Sequence, residues 1–261
     1  MRLDHRFREL LFALVAALTL PACGAPEEVL LEPGEIAGPI VDGDDAGKAD
    51  GVGGAPTATY YRVRRDFRRC AYPMCGGLWV RRVNLATTRC ADGTYAAECY
   101  VVTADYSRLL LSERSLPLFR DRVEGGQGLL RGYVTTTPIN GSPWGKLIAT
   151  EGWQASSVEV EPTGTFRRLQ DNGRRCITFP CFTVHAARLN QPYHINVSEV
   201  DLAASGAPQA EADKGLDKLM TTAEGILAAG TLVTVPKAGP AGDGLRFKAS
   251  QFYFKAGPDR P

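Results

Sequence analysis

A stretch of 17 residues in this chain has a counterpart farther along it. RRCAYPMCGGLWVRRVN, Arg68 to Asn84, aligns without a gap with RRCITFPCFTVHAARLN, Arg174 to Asn190, at an offset of 106. Arg68, Arg69, Cys70, Cys75, Arg82 and Asn84 recur as Arg174, Arg175, Cys176, Cys181, Arg188 and Asn190. Farther on, GLLRGYVTTTP (Gly128–Pro138) corresponds to GILAAGTLVTVP (Gly225–Pro236), and GKLIATEGW to GLRFKASQFY, so the offset falls to about 98. Self-similarity of this kind marks a duplicated structural unit. The first copy carries an extra loop, TRCADGTYAAEC, which holds Cys90 and Cys99.

Each copy has the same pattern of elements. Alternating apolar and polar residues predict strands over 59–65, 78–84 and 97–107, a helix over 115–124 ended by Gly125, and strands over 129–136 and 146–153. The second copy predicts strands over 165–169, 182–189 and 194–202. Its helix opens at Pro208, carries Ala212, Leu216, Leu219 and Ala223 on one face, and stops at Gly225. Strands over 226–235 and 245–254 follow. Three strands, one helix and two strands is the element order of an OB barrel, whose closed sheet removes exposed edges. Another small mixed sheet has the same order. The expected class is α+β, mainly β: two tandem small barrel-like units, OB-like and βββαββ, over 57–156 and 157–261.

The N-terminus reads as an export address. Arg2, Arg6 and Arg8 precede the apolar run Leu10–Leu20, which is too short to cross a bilayer as a helix. Leu20-Pro21-Ala22-Cys23 resembles a bacterial lipobox, so residues 1–23 are expected to be a lipoprotein signal and Cys23 the lipid attachment site. An ordinary signal cut near Ala22 or Ala25 is the alternative. Two or three acyl chains, at about 0.8 kcal/mol per buried methylene, hold a protein stably on a membrane. Gly24 in the next position points to the outer membrane. Residues 24–56 form an expected disordered acidic tether. Between Gly24 and Gly53 eight acids face Lys48 alone, and no aromatic residue is present to anchor a core. The alternative gives this stretch a ligand role, competing for a neighbouring basic face.

Seven cysteines are present, and assigning Cys23 to lipid leaves six for pairing. An oxidising compartment makes disulfides the default. The expected pairs are Cys70–Cys75, Cys176–Cys181 and Cys90–Cys99. Four thiolates from the two short loops would suit zinc, but structural zinc sites favour a two-residue gap where these have four. No metal and no cofactor is expected. The C-x-x-C spacing that tunes thiolate acidity is absent.

Catalytic motifs are missing too: there is no G-x-S-x-G elbow, H-E-x-x-H pair or phosphate-binding glycine loop. His185 takes the place of Trp79 in the repeat and His194 opens the next strand, which assigns them to packing. Asp171-Asn172-Gly173 has the chemistry of a tight hairpin turn. Asn84 and Asn190, each following a strand, are expected to satisfy local backbone groups.

The strongest candidate for function is charge. Arg62, Arg64, Arg65, Arg68, Arg69, Arg81, Arg82 and Arg89 lie between residues 62 and 89 against Asp66 alone. Residues 54–156 hold 14 basic and 8 acidic groups (+6), whereas 157–261 hold 12 and 11 (+1). All eight cations are Arg, whose planar fork matches carboxylate and phosphate. Tyr60, Tyr61, Phe67 and Trp79 are interleaved with them. The alternative is a solvated strand surface. The expected ligand class is a polyanion: anionic polysaccharide, lipopolysaccharide or extracellular nucleic acid.

With R-R-C-x4-C-G-G, V-R-R-V-N, T-R-C-A-D-G-x-Y-A-A-E-C-Y and the lipobox in view, the chain resembles a group of myxobacterial secreted lipoproteins carrying an uncharacterised domain. The resemblance is strongest over Tyr60–Tyr106. It implies an envelope protein and supplies no activity, ligand or site. The functional expectation is a non-enzymatic cell-envelope lipoprotein, attached to the membrane through its N-terminal lipid and presenting a binding or adhesion module. An envelope protease inhibitor presenting a disulfide-closed loop is the alternative, and an enzyme comes third.

Overall fold

The computed structural model describes residues 32, 34–37, 57–156 and 160–257. In TYYRVRR, Tyr61 and Val63 are buried while Arg62 and Arg64 turn outward, the two-residue period of a strand with one face on a core. Tyr60 lies on the outward parity yet is also buried, so something covers that end of the outer face.

The strands and helices, in chain order, are β1 (Ile36–Ala37), β2 (Thr59–Arg65), β3 (Leu78–Arg82), β4 (Thr88–Arg89), β5 (Tyr95–Ala96), β6 (Cys99–Val101), β7 (Thr103–Asp105), α1 (Ser115–Glu124), β8 (Gly128–Ile139) and β9 (Ser142–Ala155). They continue as β10 (Thr165–Asp171), β11 (Val184–Arg188), β12 (Tyr193–Val197), β13 (Glu199–Asp201), α2 (Gln209–Thr221), β14 (Ile226–Gly239) and β15 (Gly242–Ala256). Thirteen strands form one sheet, in the order β1-β12-β11-β10-β14-β15-β9-β8-β2-β3-β6, with β13 parallel to β15 and β7 parallel to β9. The strands β4 and β5 make a separate ribbon inside the extra loop.

The expected pair of separate small OB-like units is therefore corrected. A single, mostly β sheet runs through both halves, and from Glu32 onward the chain is one compact unit. The cause lies in the last strand of each half. Both run two residues past the predicted ends, and the end of β9 pairs antiparallel with the end of β15, Trp153 opposite Lys255 and Ala155 opposite Tyr253. Leu129 faces Trp153 in the first half as Leu227 faces Tyr253 in the second. Positions 153 and 155 thus correspond to 253 and 255, and the joint repeats itself about a pseudo-twofold axis.

Packing follows the same symmetry. Each half has its own core, around Val63, Val80, Phe119 and Leu147 in the first and Leu169, Ala186, Leu219 and Phe252 in the second. A third cluster, with Tyr60, Val83, Leu129, Trp153, Phe166, Leu189, Leu227 and Tyr253, lies between them. This cluster is what covers Tyr60.

Asn84 and Asn190 complete the joint. Asn84 Nδ2 donates to the carbonyls of Phe166 (2.7 Å) and Leu189 (2.9 Å), and its Oδ1 accepts from Phe166 N (2.8 Å). Asn190 does the same in the opposite direction, to Tyr60 O (2.8 Å), Val83 O (3.0 Å) and Tyr60 N (2.7 Å). Both adopt left-handed backbone, φ 59° and 60°, which Asn tolerates better than most residues. The expectation of purely local bonding is corrected: each side chain caps the other half.

Three smaller expectations also change. Residues 32 and 34–37 of the acidic stretch, expected in a disordered tether, lie on the sheet edge: β1 pairs with β12 and the Glu35 side chain is buried. The rest of 24–56 lies outside the described residues, as do residues 1–23 with Cys23. Asp171-Asn172-Gly173 ends β10 and leads into the second disulfide loop, so it is not a tight hairpin turn. On α2 the buried face is Ala212, Gly215 and Leu219, with Leu216 turned out. A Cβ on Gly215 would stand 2.6 Å from Leu202 Cδ1 and 3.1 Å from Phe252 Cε2, so the helix packs closely along its glycine.

Candidate functional site: an arginine and aromatic face

Three strands of the first half build the site. With Tyr61, Val63, Leu78, Val80, Cys99 and Val101 facing the core, the alternate residues of β2, β3 and β6 face outward. Register sets them in rows: Arg64 opposite Trp79 and Trp79 opposite Tyr100, with Arg62 opposite Arg81 alongside. Trp79 and Tyr100 meet edge to face at 5.6 Å. The guanidinium of Arg64 lies 5.5 Å from the Trp79 centroid, and that of Arg68 lies 4.9 Å from Trp79 and 5.3 Å from Tyr100. Such stacking holds an Arg plane in place while its N–H edge stays available.

Arg68 is fixed further by Asp66. Its Nε donates to both carboxylate oxygens (2.9 and 3.1 Å) and its second nitrogen to Oδ2 (3.0 Å) and Met74 O (2.9 Å). The hydrogen bonds from Arg68, joined by one from Trp79, hold the Asp66 carboxyl down to about 2. Tyr100 braces the loop beside it: the hydroxyl donates to Pro73 O (2.9 Å) and accepts from Gly77 N (3.1 Å). That loop is closed by the Cys70–Cys75 disulfide and exposes Phe67, Tyr72 and Met74 around it.

All three expected disulfides are present, Cys70–Cys75, Cys90–Cys99 and Cys176–Cys181, with Cα separations of 5.4, 5.3 and 5.7 Å. The thiolates that a zinc site would have used are tied up in them.

The eight arginines do not act as one cluster. Arg62, Arg64, Arg68 and Arg81 share the outer face. Arg62 pairs with Glu161 (2.6 Å) and Arg64 with Glu98 (2.5 Å), while Arg81 is exposed with no ion-pair partner among the described residues. Arg69 is likewise exposed beside the loop. The other three serve different ends. Arg65 reaches across to Asp121 (2.7 Å) and Glu124 (3.4 Å) on α1. Arg82, on the core-facing parity, is 7% exposed and donates to Thr87 O (3.0 Å) beside the Tyr95 ring. Arg89 is on the β4–β5 ribbon.

Residues 59–259 match a family model described as a domain of unknown function (DUF6748). That is more than half of the chain. The chain belongs to the DUF6748 family. No curated protein and no solved structure matches it. The matched region of this DUF6748 chain contains β2 through β15, so the joint and the arginine face both fall within it.

Sequence reading missed Tyr100 and Glu98. Tyr100 had a signal: it follows Cys99 in CYV, and strand alternation sends neighbours to opposite faces. Glu98 had none, because only the three-dimensional approach of the extra loop sets it beside Arg64.

The second half of this DUF6748 chain carries a different surface at the matching place. His185 stands where Trp79 does, and Asn196 opposite it where Tyr100 does. His185 and His194 lie 4.8 Å apart. Burial, and then the neighbouring His194, lower the His185 pKa. Among the described residues, the first half alone has stacked guanidinium groups on this row.

Proposed function

We propose that this DUF6748 protein is a non-enzymatic, lipid-anchored protein of the bacterial cell envelope, whose first half binds an acidic polysaccharide on the outer face of β2, β3 and β6. The observation that carries the reading is the row Arg64–Trp79–Tyr100 with Arg68 stacked on it and Arg62 and Arg81 beside it. Exposed ion pairs such as Arg64–Glu98 contribute about 0–1 kcal/mol, so an incoming carboxylate or sulfate exchanges readily with Glu98. Two guanidinium groups already lie over Trp79, which leaves that ring poorly placed to stack on a nucleobase. That favours a ligand recognised through its anionic groups over single-stranded nucleic acid. Three disulfides fit an oxidising compartment, and attachment through Cys23 at the outer membrane, as in the myxobacterial lipoproteins it resembles, completes the reading.

Heparin is the probe. The protein is expected to stay on heparin-agarose at low salt and to elute as salt rises, with Arg64→Ala/Arg81→Ala eluting at clearly lower salt. Lys214→Ala, on α2, is expected to elute unchanged. Retention independent of salt, or equal for both variants, removes the reading.

A second reading rests on the exposed Tyr72 and Met74 of the braced Cys70–Cys75 loop, a rigid apolar loop suited to a protease active site. Inhibition across a protease panel that disappears on reduction would favour it.

A further inference from the structure

The second half carries a site of another kind at its sheet edge. Arg167 lies on the core-facing parity of β10, beside Leu169, and is fully buried. Its register partner on β11 is Arg188, whose side chain is 8% exposed. Two buried cations side by side at the end of an apolar core require carboxylates. The carboxylates come from far away in sequence. Glu35, its side chain fully buried, accepts from Arg167 (2.9 Å) and from Arg188 (2.5 and 2.7 Å), and Glu32 pairs with Arg167. A turn at Gly34 (φ 81°) brings both acids to one point, and the backbone then continues as β1 against β12, Ile36 opposite His194 and Ala37 opposite Tyr193.

This arrangement has the parts of a peptide-recognition groove. The β12 edge, covered here only by the two-residue β1, supplies main-chain hydrogen bonds, and a two-arginine pocket reads the side chain. Arg167 Nε is buried without a partner among the described residues, so the pocket still holds donor capacity. The first half has Tyr61 where the second has Arg167, and among the described residues no strand lies outside β6. The groove is thus peculiar to the second half.

We propose that the β12 edge with Arg167 and Arg188 is a binding site for an acidic extended peptide of the form Glu-x-x-Glu, filled here in cis by Glu32–Ala37 and able to take the same segment from a second copy. Residues 38–58 join this segment to β2. At about 3.5 Å per residue they reach on the order of 70 Å, long enough for the segment to leave its own groove for that of a neighbour. The inference is independent of the polysaccharide reading, since it uses the other half and a peptide held partly through its main chain.

The test uses the full chain and a fluorescein-labelled peptide of residues 29–40. In wild-type protein the cis segment competes. The double variant Glu32→Gln/Glu35→Gln is expected to bind the peptide at least tenfold more tightly than wild type, and a peptide with both Glu changed to Gln is expected not to bind. Ile36→Pro, which removes a main-chain donor from the cis strand, is expected to act in the same direction. If the double variant does not fold alone, adding the peptide restores its folded circular dichroism signal. Folded variants that gain no peptide binding, equal binding of the Gln peptide, or an unfolded variant that the peptide does not rescue would each overturn the proposal.

Discussion

Asn84 and Asn190 show what a single residue contributes to this molecule. Each places one side chain in three hydrogen bonds with the opposite half, and each such bond contributes about 1 kcal/mol net. Asn190→Ala is expected to lower stability in urea by about 2–4 kcal/mol, from the lost bonds and the strained left-handed backbone. Asn140→Ala, at the exposed β8–β9 turn with φ 51°, is expected to cost clearly less. The sequence showed that positions 84 and 190 are equivalent. It did not show that a twofold axis sets residue 84 against residue 166, because that requires the pairing of β9 with β15. Asp66 carries a second expectation at this scale. Its folded pKa of about 2 lies below the ordinary 3.8, so its contribution is complete above pH 4 and is lost as pH falls through 2. Carboxyl NMR should place its titration near 2, and Asp66→Asn should flatten acid unfolding within that window. A midpoint near 4 would show that Arg68 does not hold it.

Among the elements, helices and core strands were the most legible. Both helices lie where periodicity and the breakers Gly125 and Pro208 set them, and β2 begins and ends as alternation indicates. The strand ends of β9 and β15 were not legible. Their last residues, such as Gln154 and Ala155, also pair with the other half, and local pattern gives no sign of that second partner. The loops obey their cysteines. The chain-entropy model assigns about 2–3 kcal/mol to closing loops this short, so accessibility rather than loop length sets their order of reduction. Cys176 is exposed and Cys181 half-buried, whereas Cys99 is 1% exposed. Graded dithiothreitol with alkylation and mass spectrometry is expected to open Cys176–Cys181 first and Cys90–Cys99 last. The reverse order would contradict the burial. Three of the eight arginines, Arg65, Arg82 and Arg89, lie off the outer face. Parity along β3 sends Arg81 outward and Arg82 inward, a distinction that a count of charges erases.

At the scale of the molecule, the halves share a sheet, an apolar cluster and the exchanged asparagines, so they are expected to unfold together. Far-UV circular dichroism and tryptophan fluorescence should follow one transition in urea. Trp153 is fully buried at the joint, and Trp153→Ala is expected to cost about 3–5 kcal/mol. Two separated transitions would mean that the halves are independent after all. Duplication was visible in the sequence through six repeated residues. The union was not, because the apolar residues that make it, Tyr60 with Phe166 and Leu129 with Leu227, read as ordinary strand positions in both copies.

Fusing the two halves into one polypeptide has a consequence for valency. A homodimer built on the same axis would display its cationic surface twice and could bridge two polymer chains into a network. Here the equivalent place on the second half has histidine and asparagine instead, so the proposed polysaccharide reading gives each molecule one gripping face rather than two.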